Sequence, residues 1–420
     1  MSAGNDHDPI PSDDEPAAAT VPLLAPREGV PDVVTTAADV DEAAALLARG
    51  HGPLAVDAER ASGYRYSARA YLVQLRRRGA GTVLIDPIPI AGGLGSLASV
   101  INELEWVLHS ADQDLPGLEE LGLRPAMLYD TELAGRLAGF PRVGLAAIVA
   151  QTLGFELKKG HGAADWSKRP LPDSWLNYAA LDVEILVELR DEMAAELDRQ
   201  GKSEWAAQEF EHIRLAGPPK PKPERWRRTS GVHAIKNARK LAIVRELWTA
   251  RDEIATRRDI APGRILPDSA IVSAAQSVPN TIDGLRGLPV FGGPRQRRSS
   301  RAWLSAIERA RALPDSELPP LTPPLDGPPP AGRWARHHPE AAARLTAART
   351  ELSALGEEVS VPVENLVSPE LVRRLCWDWE LPATADAAAY IDSRFAAGGA
   401  RPWQRELTVT RLSKALADEN

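Results

Sequence analysis

Hydrophobic positions along the chain change their period near residue 217, and that change divides it. Upstream, short apolar runs alternate with amphipathic stretches of helical period; downstream, almost every pattern is helical. Asp39–Arg49 reads as an amphipathic helix closed by Gly50, at a position where left-handed backbone is wanted. Three runs follow, Pro53–Asp57, Tyr71–Arg76 and Thr82–Asp86, separated by glycine-containing turns, and they predict a meander of strands. A helix is expected near Leu94–Asn102, a strand near Glu105–His109 and a helix over Asp114–Leu121. Further helical patterns cover Thr131–Leu137, Leu145–Leu153 and Pro172–Arg199. Such an order implies an α/β domain, a sheet with helices on its faces.

Gly217-Pro-Pro-Lys-Pro-Lys-Pro223 cannot continue a helix and reads as a stiff, extended, basic linker. Helices are then predicted over Ala238–Arg258, Asp268–Ala275, Thr281–Leu285 and Arg301–Leu313. Pro314–Pro330 is a second proline-rich linker, and the pattern from His338 to Leu416 is helical again. The resulting partition is an acidic tail (1–25), an α/β domain (26–216), a basic linker (217–235), a helical domain (236–314), a linker (315–337) and a second helical domain (338–420). The tail, rich in Ala and Pro and almost without aromatic residues, is expected to be disordered.

A chain of 420 residues exceeds one hydrophobic core, in keeping with that partition. No uninterrupted apolar stretch is long enough to span a bilayer, and the N-terminus lacks the basic-then-apolar order of a signal peptide. Cys376 is the only cysteine, which excludes an internal disulfide framework and a cysteine-based zinc cluster and fits the cytoplasm. Net charge is −8, but unevenly spread: Asp6, Asp8, Asp13, Asp14 and Glu15 are all acidic, whereas Gly217–Arg301 holds 18 Lys/Arg against 7 Asp/Glu. A basic middle between acidic flanks points to a polyanionic partner.

Asp57 and Glu59 end the first apolar run two residues apart, so a strand would aim both at one face. Tyr178 and Asp182 are four apart in a helical stretch and share a helix face. Asp114 follows the apolar run Trp106-Val107-Leu108 at a strand-to-helix junction, with Asp112 competing for the same role. Each acid alone has an ordinary reading, as a chance triplet, a helix cap or a solvated residue. Together they form a set whose mutual repulsion requires cations, and hard oxygen donors suit Mg²⁺ or Mn²⁺.

Leu54-Ala-Val-Asp57-Ala-Glu59, Tyr71-Leu-Val-Gln74-Leu, Leu108-His109-Ser-Ala-Asp-Gln-Asp114-Leu115, Asp165-Trp166-Ser-Lys-Arg169-Pro170 and Tyr178-Ala-Ala-Leu-Asp182 resemble the motifs of the ribonuclease D family of DEDD exonucleases. Leu247-Trp248-Thr-Ala-Arg251-Asp252-Glu253-Ile254-Ala255 and Arg258-Asp259-Ile-Ala-Pro262-Gly-Arg-Ile265-Leu266 resemble that family's helical HRDC module. The final segment, with Pro362-Val-Glu-Asn-Leu366, is similar to a diverged second copy. The resemblance implies a ribonuclease H-like exonuclease domain with a mixed sheet, followed by two all-α HRDC-type domains. It implies two divalent cations: Asp57 bridging both, Glu59 and Asp182 holding the one that activates water, Asp114 supporting the other. Tyr178 would orient the attacking water. The implied activity is 3′→5′ hydrolysis of RNA with a free 3′ end, transfer-RNA precursors included, by a monomer. A DNA exonuclease and an inactive RNA-binding scaffold are the alternatives. Arg60 stands where the family often carries an aromatic residue, and Ala164 where a serine is common.

Beyond the acids, Trp166 and Arg169 are candidates for the substrate rim. Trp226 sits among Arg225, Arg227 and Arg228, where it would stack on a base. Arg295, Arg297, Arg298 and Arg301 form a patch suited to backbone phosphates. Trp248 falls on a helical stripe and reads as core, and His109 reads as packing at a strand end.

Overall fold

The expected strands form, and they run longer than their apolar cores. In this computed structural model, which describes residues 20–157, 160–218, 223–323, 327–381 and 386–417, the strands are β1 (Val21–Leu23), β2 (Val33–Val34), β3 (His51–Arg60), β4 (Ala70–Arg78), β5 (Gly81–Ile85), β6 (Glu105–Leu108), β7 (Met127–Asp130) and β8 (Phe155–Leu157). Six of them make a mixed sheet in the order β2-β5-β4-β3-β6-β7. β3, β4 and β5 pair antiparallel as the meander, while β2, β6 and β7 join parallel to their neighbours. β1 pairs with β8 in a separate parallel ribbon. The expectation of a disordered segment to residue 25 therefore fails at Val21–Leu23, and residues 1–19 lie outside the described residues.

Alternation along the strands gives the sheet two different faces. One carries Val56, Ala58, Val73, Leu75, Val83 and Ile85 into the main core with Trp106, Leu108 and Leu189. The other carries Leu72 and Leu84 against Trp166, Ala179 and Ala180. Asp57 lies opposite Gln74 and Glu59 opposite Leu72 in the register of β3 and β4, which places both acids on this second face. The helix expected over Pro172–Arg199 is two helices, Asp173–Glu184 and Leu186–Arg199, parted at Ile185 (φ −111°, ψ −1°). The Ser203–Leu215 helix was not expected, because buried Glu209 stands at one of its inward positions. Gly50 is also not as expected. Its backbone is extended (φ −69°), and what it supplies is room, since a Cβ there would stand 2.9 Å from Arg77 Cδ.

The two helical units repeat one succession. Each opens on a 21-residue helix, Ala238–Arg258 or Pro339–Val359, closed by a left-handed residue, Asp259 (φ 48°) or Ser360 (φ 51°). Each continues into a four-residue helix, Pro262–Ile265 or Val363–Leu366. The linker boundaries shift accordingly. Residues 219–222 and 324–326 lie outside the described residues, but Arg225–Arg228 is a 3₁₀ turn whose Trp226 enters the first helical core. Trp334, wholly buried, belongs to the core of the second helical unit, with its indole N–H donating to Pro329 O at 2.8 Å. No helix among the described residues is long and apolar enough to cross a membrane.

Both helical units dock on the α/β domain. Asp259 accepts the Tyr66 and Ser67 amides through one carboxylate oxygen (3.2 and 2.8 Å). Its other oxygen accepts from Arg69 Nη2 and the Tyr71 hydroxyl (3.1 and 3.3 Å). Elsewhere, Glu209 accepts from Arg401 Nε (2.5 Å) and the Trp403 indole (2.8 Å), and Trp403 stacks on Trp205 at 5.1 Å. Burial opposes ionisation of Asp259, but the Ser67 amide and Arg69 outweigh it and bring the carboxyl down to about 2. A depressed folded-state pKa means this stabilisation is full above the unfolded value near 4 and is lost as pH falls through about 2. Asp259→Ala should loosen the first helical unit by about 2 kcal/mol, the range of hydrogen bonds to a charged acceptor. Calorimetry should then show its unfolding separating from that of the α/β domain; a single unchanged transition would refute the clasp.

Candidate active site

The second face of the sheet is covered by the Asp173–Glu184 helix, which packs against β3, β4 and β5. Its inward positions Ala179 and Ala180 are small and fully buried, so the helix backbone comes close to the strands. Tyr178 and Asp182 on that helix meet Asp57 and Glu59 from β3. Asp57, Glu59 and Asp182 each present a carboxylate oxygen within 4.8 Å of the other two. With His109, Gly160 and Tyr178 among its walls, the cavity that holds Asp57 and Asp182 has a volume of about 370 Å³.

Asp114, which follows β6, stands outside the three acids whose oxygens lie within 4.8 Å of one another, but near enough for its charge to act on Glu59. Ser110 leaves that strand in a left-handed conformation (φ 63°), and Asp130 holds the turn by accepting the Ser110 and Ala111 amides (3.2 and 2.8 Å). Asp114 then opens the Leu115–Glu119 helix without capping it, and its buried carboxyl is left to feel the charge of Asp57. Of the two candidates, Asp112 is exposed and Asp114 is buried. Arg60 takes the edge of the cluster, with its Nε 3.7 Å from Asp114 and its Nη2 donating to Gln113 at 3.4 Å.

Burial dominates the electrostatics. It pushes Asp57 up to about 6 against the pull of the Ala58 amide and Arg60. Burial and then the charge of Asp57 push Glu59 up to about 10. Asp114 and Asp182 are raised by burial and by Asp57 in turn. Tyr178 is raised too, by burial and by Asp182 and Glu59, so its hydroxyl stays protonated. Gln74, directly across from Asp57, is wholly buried, and neither amide atom has a hydrogen-bond partner among the described residues. Hard oxygen donors, raised pKa values and an orphaned amide fit a divalent cation.

Three substrate-rim expectations are corrected. Trp166 is wholly buried against Trp175 at 5.1 Å and offers no face to a base. Arg169 is committed to both Asp86 oxygens and to the Tyr71, Trp166 and Lys168 carbonyls, so it has no donor left for phosphate. Trp226 is buried under Arg227, 4.3 Å from its ring centroid, because the 3₁₀ turn folds back on the helical core. Arg295, Arg297, Arg298 and Arg301 are all exposed. His109 is half-buried, its Nδ1 2.9 Å from the Thr131 hydroxyl, and the burial of its ring lowers it to about 4. Sequence reasoning passed over Gly160-His161-Gly162. A Cβ at Gly160 would collide with the Tyr178 ring, and His161 sits edge-on to it at 5.8 Å. The two glycines flanking a histidine were the available signal.

Residues 31–198 match the family described as 3′-5′ exonuclease, residues 240–307 the HRDC domain and residues 327–416 the 3′ to 5′ exonuclease C-terminal domain. Ribonuclease D of Gluconacetobacter diazotrophicus is 31% identical to this chain over 73% of it and 79% of that protein. A crystal structure of a protein from Bifidobacterium adolescentis has a TM-score of 0.88 at 39% identity, covering 95% of this chain and 100% of that one. Escherichia coli RNase D shares the fold, with a TM-score of 0.67 at 23% identity, covering 92% of this chain and 98% of that one.

Raised folded-state pKa values mean that the metal-free cluster favours protonation. Its stabilising effect is full below about pH 4 and is lost as pH rises through about 6 for Asp57 and on toward 10 for Glu59. In chelator, thermal stability should fall between pH 5 and 8, and divalent cations should restore it with release of protons. Asp57→Asn should raise the metal-free melting temperature by several degrees, equivalent to about 1–3 kcal/mol, while removing the cation response. A chelated melting temperature that is flat with pH would show that the carboxylates do not repel as described.

Proposed function

The chain belongs to the ribonuclease D family and is a 3′→5′ exoribonuclease, and we propose that it trims the 3′ ends of stable RNAs, transfer-RNA precursors among them, with two Mg²⁺ or Mn²⁺ ions. The carrying observation is the convergence of Asp57, Glu59 and Asp182, oxygens within 4.8 Å of one another, with Asp57 and Asp182 lining the cavity that Tyr178 walls. Escherichia coli RNase D, which shares the fold, is an exoribonuclease involved in structured RNA processing.

Asp57, Glu59, Asp182 and Asp114 would hold the cations, which supply Lewis-acid charge for phosphodiester hydrolysis when bound. The chain's own residues do the positioning. Tyr178 stands beside Asp182, and its raised pKa keeps its hydroxyl protonated, so it would orient the attacking water and not take its proton. Lowered to about 4, His109 is neutral at pH 7 and fills the cavity wall. Asp130 fixes the turn that delivers Asp114. The exposed arginines at 295, 297, 298 and 301 supply grip on the body of the RNA.

A 5′-labelled RNA with a free 3′ hydroxyl should shorten one nucleotide at a time in Mg²⁺ or Mn²⁺. Chelator should stop the ladder, and Asp57→Ala or Asp182→Ala should slow it more than about a hundredfold. A DNA oligomer of the same sequence should be cut more slowly, because selectivity comes from contacts to the 2′-hydroxyl. Bound RNA with no ladder in either metal would mean a scaffold. Replacing the four arginines by alanine should weaken binding and reduce the slope of log K against log salt by about 0.7 for each phosphate no longer neutralised. An unchanged slope would remove the patch from the RNA path.

A further inference from the structure

A second cavity, of about 510 Å³, lies where the chain enters the first helical unit, apart from the carboxylate cluster. Its walls include Arg225, Arg228, Trp248, Arg251, Pro262 and Asp268. The volume falls within the roughly 300–1,000 Å³ of small-ligand sites. Three arginines face one aspartate, and that aspartate is already committed. Asp268 accepts from Arg251 Nη1 at 2.5 Å and from the Ser230 amide at 2.7 Å. Arg251 donates also to Leu266 O at 3.0 Å, which fixes its guanidinium in the wall. Its Nε is buried and has no acceptor among the described residues.

Arg225 and Arg228 are exposed, and among the described residues neither is paired with a carboxylate. Arg225 rests over the half-buried Trp248 ring, 5.3 Å from its centroid. A cation spread over an indole face, beside further unneutralised charge, suits a flat π system carrying an anion. A base would take the indole face as Arg225 moves to the phosphate. The cavity also adjoins the seam with the nuclease domain. The Ala261 amide, next to Pro262, donates to Tyr64 O at 3.0 Å, in the loop that follows Glu59 and Arg60. Arg264 lies 4.1 Å from the Tyr64 ring centroid, and its carbonyl accepts from Arg295 at 3.4 Å, so positive charge continues from this seam to the exposed arginines.

We propose that this cavity binds one unpaired nucleotide of the RNA upstream of its 3′ end, the base on Trp248 and the phosphate between Arg225 and Arg228. The assignment rests on the exoribonuclease reading, and the test separates the two. Anisotropy of 5′-labelled single-stranded RNA is measured in chelator, with an abasic nucleotide moved along the strand. Wild-type protein should lose affinity at one offset from the 3′ end, and Trp248→Ala should bind intact RNA about tenfold more weakly with no further loss at that offset. Trp248→Phe should keep most of the affinity. Arg225→Ala with Arg228→Ala, both exposed positions, should weaken binding of long RNA about tenfold while leaving cleavage of oligomers too short to reach the cavity unchanged. A flat abasic profile, or full affinity in the double arginine variant, would overturn the proposal. Displacement of the RNA by free adenosine monophosphate at micromolar concentration would also overturn it, in favour of a site for free nucleotides. Wild-type protein that forms no ladder on RNA would sink the exoribonuclease reading instead.

Discussion

Four acids brought close together at the sheet face, Glu59 and Asp114 among them buried, repel one another, and the domain is built to keep them from moving apart. Asp57 and Glu59 ride on β3, which is paired on one side to β4 and on the other to β6, so the strand carrying them cannot yield. Asp182 and Tyr178 come on a helix whose close approach is set by Ala179 and Ala180, where larger residues would lift it off the sheet. Asp114 is held by a turn that spends the carboxylate of Asp130 on backbone amides. Each device prevents the relaxation that would relieve the repulsion. What remains is neutralisation, by protons or by cations, and at neutral pH cations are the stronger option. Stability is thus given up locally so that the ligands are preformed.

The same rigidity explains how the helical units attach. Asp259 ends the Ala238–Arg258 helix in a left-handed conformation, and its side chain, freed from the helix, clasps the loop between β3 and β4. One residue therefore both stops the helix and docks it. The loop begins just beyond Glu59 and Arg60, so the first helical unit is anchored to the strand that bears the chemistry. The second unit is fixed elsewhere, through Glu209, Arg401 and the Trp205–Trp403 stack, on the helix that follows the nuclease core. Leu355, Val361, Leu366 and Trp403 join the main core itself.

Asp57, Glu59, Tyr178 and Asp182 were legible because their geometry is local. Two residues on a strand or four on a helix fix a shared face without knowledge of anything distant. The rim residues were not legible, because their fates depend on partners far along the chain. Arg169 is claimed by Asp86, 83 residues earlier, and that pairing leaves no trace in either neighbourhood. Trp226 stands among arginines, the usual mark of a surface, yet a short turn folds it under the helical core. Trp248 was the reverse, a residue on a core stripe whose ring lines an open cavity. The Ser203–Leu215 helix was hidden because Glu209, a polar residue, takes a core position with partners almost two hundred residues away. β2, of two residues, is too short for a period to register.

Arg60 shows how a departure from the family pattern is absorbed. Strict alternation along β3 would send it to the face opposite Glu59. The pairing of β3 with β4 shifts register between Glu59 and Arg60, and such irregularities re-aim the side chain beside them. The guanidinium consequently stands at the edge of the cluster, 3.7 Å from Asp114, where an aromatic residue would have had no charge to offer. It lowers Asp57, Glu59 and Asp114 against burial, but from one side only, and Glu59 stays far above the ordinary carboxylate range. A fixed charge at the rim tempers the repulsion without filling the centre. The centre, bounded by Asp57, Glu59 and Asp182, is left with oxygens alone, which is what a divalent cation requires and an arginine would have spoiled.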